Sequence, residues 1–203
     1  MHIRQLLVWT SCCVFACAAQ LALGAAPEAA KGCADCHGEN GVSTRGEIPT
    51  IAGMSAFYIE GQMQSYQNQK RPCPQVDKTD KSGKSDMCEV AKKLNAAQVK
   101  EVAAYFAGEK FVAAKQPVDA ALAAKGKSLH EVRCESCHSE GGSVADDDAG
   151  ILAGQHKEYL LEAFKEFQEG KRTQPEKMKP KTEGLTEADY KELAEFYASK
   201  GSK

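Results

Sequence analysis

Apolar residues recur at helical spacing through most of the chain beyond residue 25. In the segment 158–170 they lie three or four positions apart, on one face of a helix: Tyr159, Leu160, Ala163, Phe164 and Phe167. Thr186-x-x-Asp189 and Asn95-x-x-Gln98 are capping patterns that predict the start of the last helix in each half of the chain. Further helices are expected over 55–70 and from Asp119 to Arg133, and no segment alternates as a strand does. The pattern predicts an all-α protein.

The two halves of the chain repeat each other at an offset of 101 residues. This offset relates Ile51-Ala52-Gly53 to Leu152-Ala153-Gly154, Tyr58 to Tyr159, Tyr66 to Phe167, and Lys70-Arg71 to Lys171-Arg172. The join at 113–117 is short and ends in a proline, so the halves are expected to lie close together. We predict one domain at 26–114 and a second at 118–203.

The first 25 residues have the pattern of an export signal. Arg4 supplies a positive charge, residues 6–23 are mostly apolar, and small residues follow. We predict a signal peptide at 1–25, cleaved near Gly24 to Ala26, and a periplasmic location. The apolar stretch is short for a membrane anchor and no other apolar run is long enough, so no stable membrane span is expected.

The repeat contains two copies of the motif C-x-x-C-H. The residues are Cys33, Cys36 and His37 in the first copy and Cys134, Cys137 and His138 in the second. In this motif the two thiols form thioether bonds with the vinyl groups of a haem, and the histidine ligates the iron. We therefore predict two covalently bound haem c groups. Each half has only about 90 residues, so a buried haem is expected to complete each small core.

Methionines are the first candidates for the sixth ligand of each iron. Met87 and Met178 each lie seven residues before a leucine that precedes the last helix of its half, and we predict that they are the distal ligands. Met54 and Met63 have no methionine counterpart in the second half, which favours core packing. His130 and His156 are alternative ligands for the second haem. We favour ordinary roles for them, His130 as a surface or packing residue and His156 at a helix start.

Two cysteines remain after the leader and the haem motifs are counted, Cys73 and Cys88. An even pair in an oxidising compartment predicts a disulfide. It would close a loop of about 15 residues, worth about 3 kcal/mol, and would fix the loop that carries Met87. A redox-active pair is the alternative.

The charge is nearly balanced, with 26 Lys and Arg against 28 Asp and Glu, and nothing in it indicates nucleic-acid binding. One run between 171 and 181 is basic: Lys171, Arg172, Lys177, Lys179 and Lys181. Because Met178 lies within this run, we expect these side chains to surround an exposed haem edge and to attract an acidic partner. A simple solvated face is the alternative.

The motifs together resemble the dihaem cytochrome c-four family, two fused class I cytochrome c domains, over nearly the whole chain. The second half is also similar to the cytochrome subunit of flavocytochrome c sulfide dehydrogenase, in Cys134 to His138, Glu140-Gly141-Gly142, Ala145-Asp146-Asp147 and Ile151 to Gln155. The resemblance implies an electron carrier without catalytic residues, whose partners are redox proteins such as a flavoprotein dehydrogenase or a terminal oxidase. It also implies that a proline carbonyl, that of Pro49, accepts a hydrogen bond from His37, whereas the second half has Gly150 at this position.

Three interpretations stay open. The chain is a free electron carrier, or it is the cytochrome subunit of a complex like flavocytochrome c sulfide dehydrogenase. A dihaem enzyme, such as a peroxidase or a thiosulfate dehydrogenase, is the third interpretation. Such an enzyme needs an open iron or an unusual ligand such as cysteine, and Cys88 beside Met87 is the feature that keeps this interpretation open.

Overall fold

A computed structural model of the chain describes residues 25–201, and these residues form a mostly helical protein with two similar halves. The predicted signal peptide lies outside the described residues, except for its last position. The helices are α1 (Ala34–His37), α2 (Ala56–Gln67), α3 (Met87–Lys92), α4 (Ala96–Gly108), α5 (Ala120–Arg133), α6 (Ser139–Gly142), α7 (Lys157–Gln168), α8 (Lys179–Thr182) and α9 (Glu187–Ser199). Short 3-10 turns at Glu28–Cys33, Glu39–Gly41 and Ala145–Asp147 complete the helical structure.

The predicted helix starts are confirmed. The Asn95 and Thr186 side chains each accept a backbone N–H in a complete capping box, which begins α4 and α9. Ser55 and Asp119 cap α2 and α5 in the same way, each with one side-chain oxygen. These bonds satisfy N–H groups that have no partner inside the helix, so the sequence marks each boundary locally.

The expectation of no strand is wrong at one place. Val76–Asp77 (β1) pairs antiparallel with Lys84–Ser85 (β2) in the segment of the first half between Cys73 and Cys88. Each strand is two residues long, which is too short to produce an alternating pattern in the sequence. The tip is closed by a hydrogen bond from the Lys78 amide to the Gly83 carbonyl.

Each half has its own apolar cluster. In the first half α2 packs on α4, and Met54 and Met63 are buried in the cluster, as predicted. In the second half α5 packs along α9. Gly126 permits this close contact, because a side-chain carbon there would lie 1.9 Å from the Glu192 carbonyl oxygen.

Buried hydrogen bonds join the two halves directly. The Gln155 side chain accepts from the Thr50 amide and donates to the Thr50 carbonyl, both at 2.9 Å. His156, at the start of α7 as predicted, donates from Nε2 to the Ser43 carbonyl at 2.9 Å. The Tyr159 amide donates to the Gly46 carbonyl. Together these bonds hold the N-terminal end of α7 against the loop that follows the first haem motif.

Among the helices within residues 25–201, none combines the length and the apolar character needed to cross a membrane.

Candidate haem sites

All four predicted site residues of the first half line one cavity. Its volume is about 1340 Å³, and Cys33, Cys36, His37 and Met87 all contribute to its wall. Most of the remaining wall from the first half is apolar: Ile48, Ile51, Met54, Ile59, Met63, Val102 and Phe106. Residues separated by some 50 positions in the sequence therefore meet at one site.

His37 is oriented by the carbonyl predicted from the resemblance. Its Nδ1 lies 2.9 Å from the Pro49 carbonyl oxygen, so Nδ1 carries the hydrogen and Nε2 keeps a free lone pair. Burial lowers the pKa of this imidazole, although the bond to Pro49 opposes that effect. A neutral, fixed ring with a free Nε2 is what iron ligation requires.

Of the two thiols of the first motif, Cys33 directly precedes the short helix α1 and Cys36 lies within it. Burial raises the pKa of the Cys33 thiol to about 11, and the Asp35 carboxylate adds to this effect. Burial also raises the pKa of Cys36. Neither thiol is used in a disulfide within residues 25–201, so both are available for attachment to the vinyl groups of a haem.

Met87 is the first residue of α3, and the helix start fixes its position. Asp86 caps the helix by accepting from the Glu89 amide. Cys88 is joined to Cys73 in the predicted disulfide, with the two Cα atoms 5.8 Å apart. The residue next to the proposed ligand is therefore covalently tied to the chain near Arg71.

Two arginines from the repeated Lys-Arg pairs meet between the halves. Arg71 lies over the Tyr66 ring and Arg172 over the Phe167 ring, each at 4.5 Å. Both donate to Gln62 Oε1, at 2.7 and 3.0 Å. Arg172 is only 7% exposed, so its predicted place in the exposed basic run is wrong. Its side chain turns inward because the aromatic ring and Gln62 give the guanidinium partners there.

The first cavity fits a haem. It offers an apolar wall, an imidazole nitrogen, a thioether sulfur and two thiols at the predicted positions. Arg71 also lines it, and the buried Nε of this side chain has no hydrogen-bond partner among the described residues. A buried guanidinium suits the two carboxylates that every haem c carries.

The second set of residues has a different arrangement. Cys134 is partly buried against the apolar cluster of Leu160, Leu193 and Tyr197, and Cys137 is exposed. The buried Nδ1 of His138 has no partner in the described structure, so the Gly150 carbonyl does not replace that of Pro49. Burial, with a contribution from His130, lowers the pKa of His138 to about 4, so this ring too is neutral.

Met178 is partly buried and directly precedes α8. Arg133, at the end of α5, lies 3.5 Å from the carbonyl oxygens of Lys181 and Glu183. Since α5 leads directly into Cys134, this contact holds the Met178 segment near the second motif. None of the four predicted residues of this site lines the first cavity.

His130 is a buried packing residue, which was one of the two roles predicted for it. It is 1% exposed, and its Nδ1 and Nε2 lie 2.9 Å from the Tyr197 hydroxyl and 2.5 Å from a Glu135 carboxylate oxygen. Both nitrogens are engaged, which agrees with packing and not with iron ligation. In the sequence, a role beside the haem motif was indicated by the position of His130, which lies four residues, about one helical turn, before Cys134.

Comparisons with known proteins cover both halves. A family model described as "Cytochrome c" matches residues 22–108, and one described as "Cytochrome C oxidase, cbb3-type, subunit III" matches residues 121–196. Cytochrome c4 of Stutzerimonas stutzeri is 30% identical over 153 residues, 70% of this chain and 70% of that protein. The thiosulfate dehydrogenase electron acceptor of Thiomonas intermedia is 28% identical over 167 residues, 77% of this chain and 71% of that protein. The solved structure of cytochrome c4 from Acidithiobacillus ferrooxidans matches with a TM-score of 0.66 at 27% identity, covering 82% of this chain and 98% of that one.

Proposed function

The chain belongs to the cytochrome c4 family of dihaem electron carriers, and on this premise we propose that it carries single electrons between protein partners in the bacterial periplasm. Family membership confirms the predicted fold of two tandem class I cytochrome c domains. The periplasmic location rests on the predicted signal peptide and on the haem motifs, which are loaded outside the cytoplasm in the family that the chain resembles.

We assign the two sites residue by residue. Cys33, Cys36, Cys134 and Cys137 attach the haems covalently, while His37 with Met87 and His138 with Met178 are the axial ligands. Each bound haem supplies a one-electron iron couple. The observation that carries the proposal is the first cavity, where the Pro49 carbonyl orients His37 and a disulfide anchors the Met87 segment.

Intact mass tests the assignment. Under denaturing conditions the exported protein should exceed its cleaved polypeptide by two haem masses, because thioether bonds survive unfolding. A variant with Cys134→Ser and Cys137→Ser should carry one haem, and the matching variant at Cys33 and Cys36 should carry the other. A wild-type mass that shows one haem or none would contradict the assignment.

One comparison favours a more specific role, as the electron acceptor of a dehydrogenase. A relative of this chain is a thiosulfate dehydrogenase electron acceptor, and the second half resembles the cytochrome subunit of a flavocytochrome. This role keeps the catalytic step in a partner protein. The proposed His and Met ligands would hold each iron from both sides, which would leave no open site for a peroxidase reaction.

Reduction by thiosulfate separates carrier from enzyme. Thiosulfate alone should leave the purified protein oxidised, and addition of a catalytic amount of thiosulfate dehydrogenase should reduce it. Rapid reduction by thiosulfate without that enzyme would instead indicate that this chain is itself the dehydrogenase. Failure of the enzyme to reduce it would exclude thiosulfate dehydrogenase as the donor and leave the carrier function intact.

A further inference from the structure

One helix of the second half forms part of the wall of the first cavity. Glu158, Glu162, Lys165 and Glu169 all line the cavity that also holds His37 and Met87. Their spacing of four, three and four residues places them on one face of α7 and its C-terminal extension. All four side chains are exposed. The opening of the first haem site is therefore built from both halves.

Three of the four charged side chains on this face are glutamates, and Lys165 is the single positive charge among them, so the net charge of the face is negative. Glu169 pairs with Lys171 at 2.7 Å, whereas Glu158 and Glu162 have no salt-bridge partner within residues 25–201. Two glutamates four positions apart on a helix repel each other and destabilise it slightly. Glu187, also exposed, lies along the same opening, where Glu47 is paired with Arg45 and Lys191 adds a positive charge.

An apolar side chain lies at the edge of the acidic face. Leu161 lines the opening and is 37% exposed, which makes it one of the few large apolar residues at the described surface. The fold does not require this arrangement. At the positions related by the 101-residue repeat, α2 has Gly61 in place of Glu162 and the uncharged Phe57 in place of Glu158.

The acidic rim is not explained by the haem. Haem carboxylates are negative and would be repelled by Glu158 and Glu162. The positive group suited to them is Arg71, which is 9% exposed and whose Nε has no hydrogen-bond partner among the described residues. Glu166, which is 7% exposed and has one carboxylate oxygen without a partner within residues 25–201, also lines the cavity. The outer negative charge therefore serves something that approaches from solution.

We propose that the acidic face of Glu158, Leu161 and Glu162 is the docking surface for a redox protein with lysines around its own cofactor. This inference deepens the proposed function by assigning a basic partner to the first haem site. Charge complementarity would steer the partner to the opening, and Leu161 would make an apolar contact beside the glutamates. The surface differs in sign from the basic run around Met178, so the two sites select partners of opposite charge.

Binding of a basic probe tests the proposal. The haem-loaded protein is titrated calorimetrically with a strongly basic mono-haem cytochrome c at low ionic strength. The variant E158K/E162K should bind about tenfold more weakly, and the wild-type affinity should fall as salt is added. A control with the same charge change at exposed sites outside the cavity, E101K/E131K, should bind within about twofold of wild type.

Two further measurements keep the result interpretable. Leu161→Ala should weaken binding several-fold with little change in salt dependence, and amide chemical shifts perturbed by the probe should map to α7. Equal weakening in both reversal variants, or perturbed shifts outside α7 and the cavity rim, would overturn the docking site. Haem content and visible spectra are recorded for every variant. If haem content and spectra are normal but the probe does not bind at α7, the docking site is wrong and the carrier function is unaffected. If haem is missing from the wild-type protein, the carrier function itself is contradicted.

Discussion

At the scale of single residues, two methionines decide whether each haem site is closed. Replacing Met178 by alanine should open one iron to exogenous ligands and lower the potential of that haem, because a thioether favours the ferrous state. Met87→Ala should do the same at the other haem. Cyanide binding and a spectroelectrochemical titration measure both effects, and the unmutated site in each variant is the internal control. An unaltered ferric spectrum in the double variant would refute the ligand assignment.

Residues that act through neighbours in sequence were predictable, whereas residues that act across the interface were not. The pattern C-x-x-C-H is local, so its six residues were identified at once. Gln155 was not, because its partner Thr50 lies 105 positions away. Arg172 was wrongly grouped with the adjacent lysines. The repeat of an aromatic residue followed by Lys-Arg was the available signal, since both arginines lie over those rings.

At the scale of elements, the disulfide should fix the segment that carries Met87. Replacing both Cys73 and Cys88 by serine should destabilise the protein by up to about 3 kcal/mol, through the entropy of the released loop. Imidazole should then displace the ligand more easily at the first haem, with the second haem unchanged. Denaturant unfolding and imidazole titration of wild type and variant measure this. Equal imidazole affinity in both proteins would show that α3 holds Met87 without the crosslink.

The elements themselves were predictable where a cap or a long apolar face marks them. Asn95 and Thr186 indicated helix starts that the structure confirms. The β1–β2 hairpin was missed because two-residue strands contain no period. The partner of His138 was not predictable, because Gly150 occupies the position of Pro49, and in the structure the Nδ1 atom of His138 has no partner among the described residues.

At the scale of the whole molecule, the two halves pack through polar contacts, and the two haem sites have charged residues of opposite sign beside them. The acidic face of α7 lies at the first haem site, and lysines at 177, 179 and 181 flank the proposed ligand of the second. Lys179 pairs with Glu176 at 2.6 Å, whereas Lys177 and Lys181 form no ion pair in the part of the chain that the structure describes. An acidic partner should therefore be attracted to this end of the molecule.

Reversing Lys177 and Lys179 to glutamate should slow electron exchange with an acidic redox partner by about tenfold at low salt. The effect should fade as salt is added, since the Debye length is about 10 Å at 0.1 M. Stopped-flow reduction over a range of ionic strength measures the rate, and the visible spectrum of both haems should not change. E158K/E162K is the matched control, because its charges lie at the other site and should not slow an acidic partner. A rate insensitive to salt and to the lysine reversals would mean that the basic run is only a solvated face, and that this partner docks elsewhere.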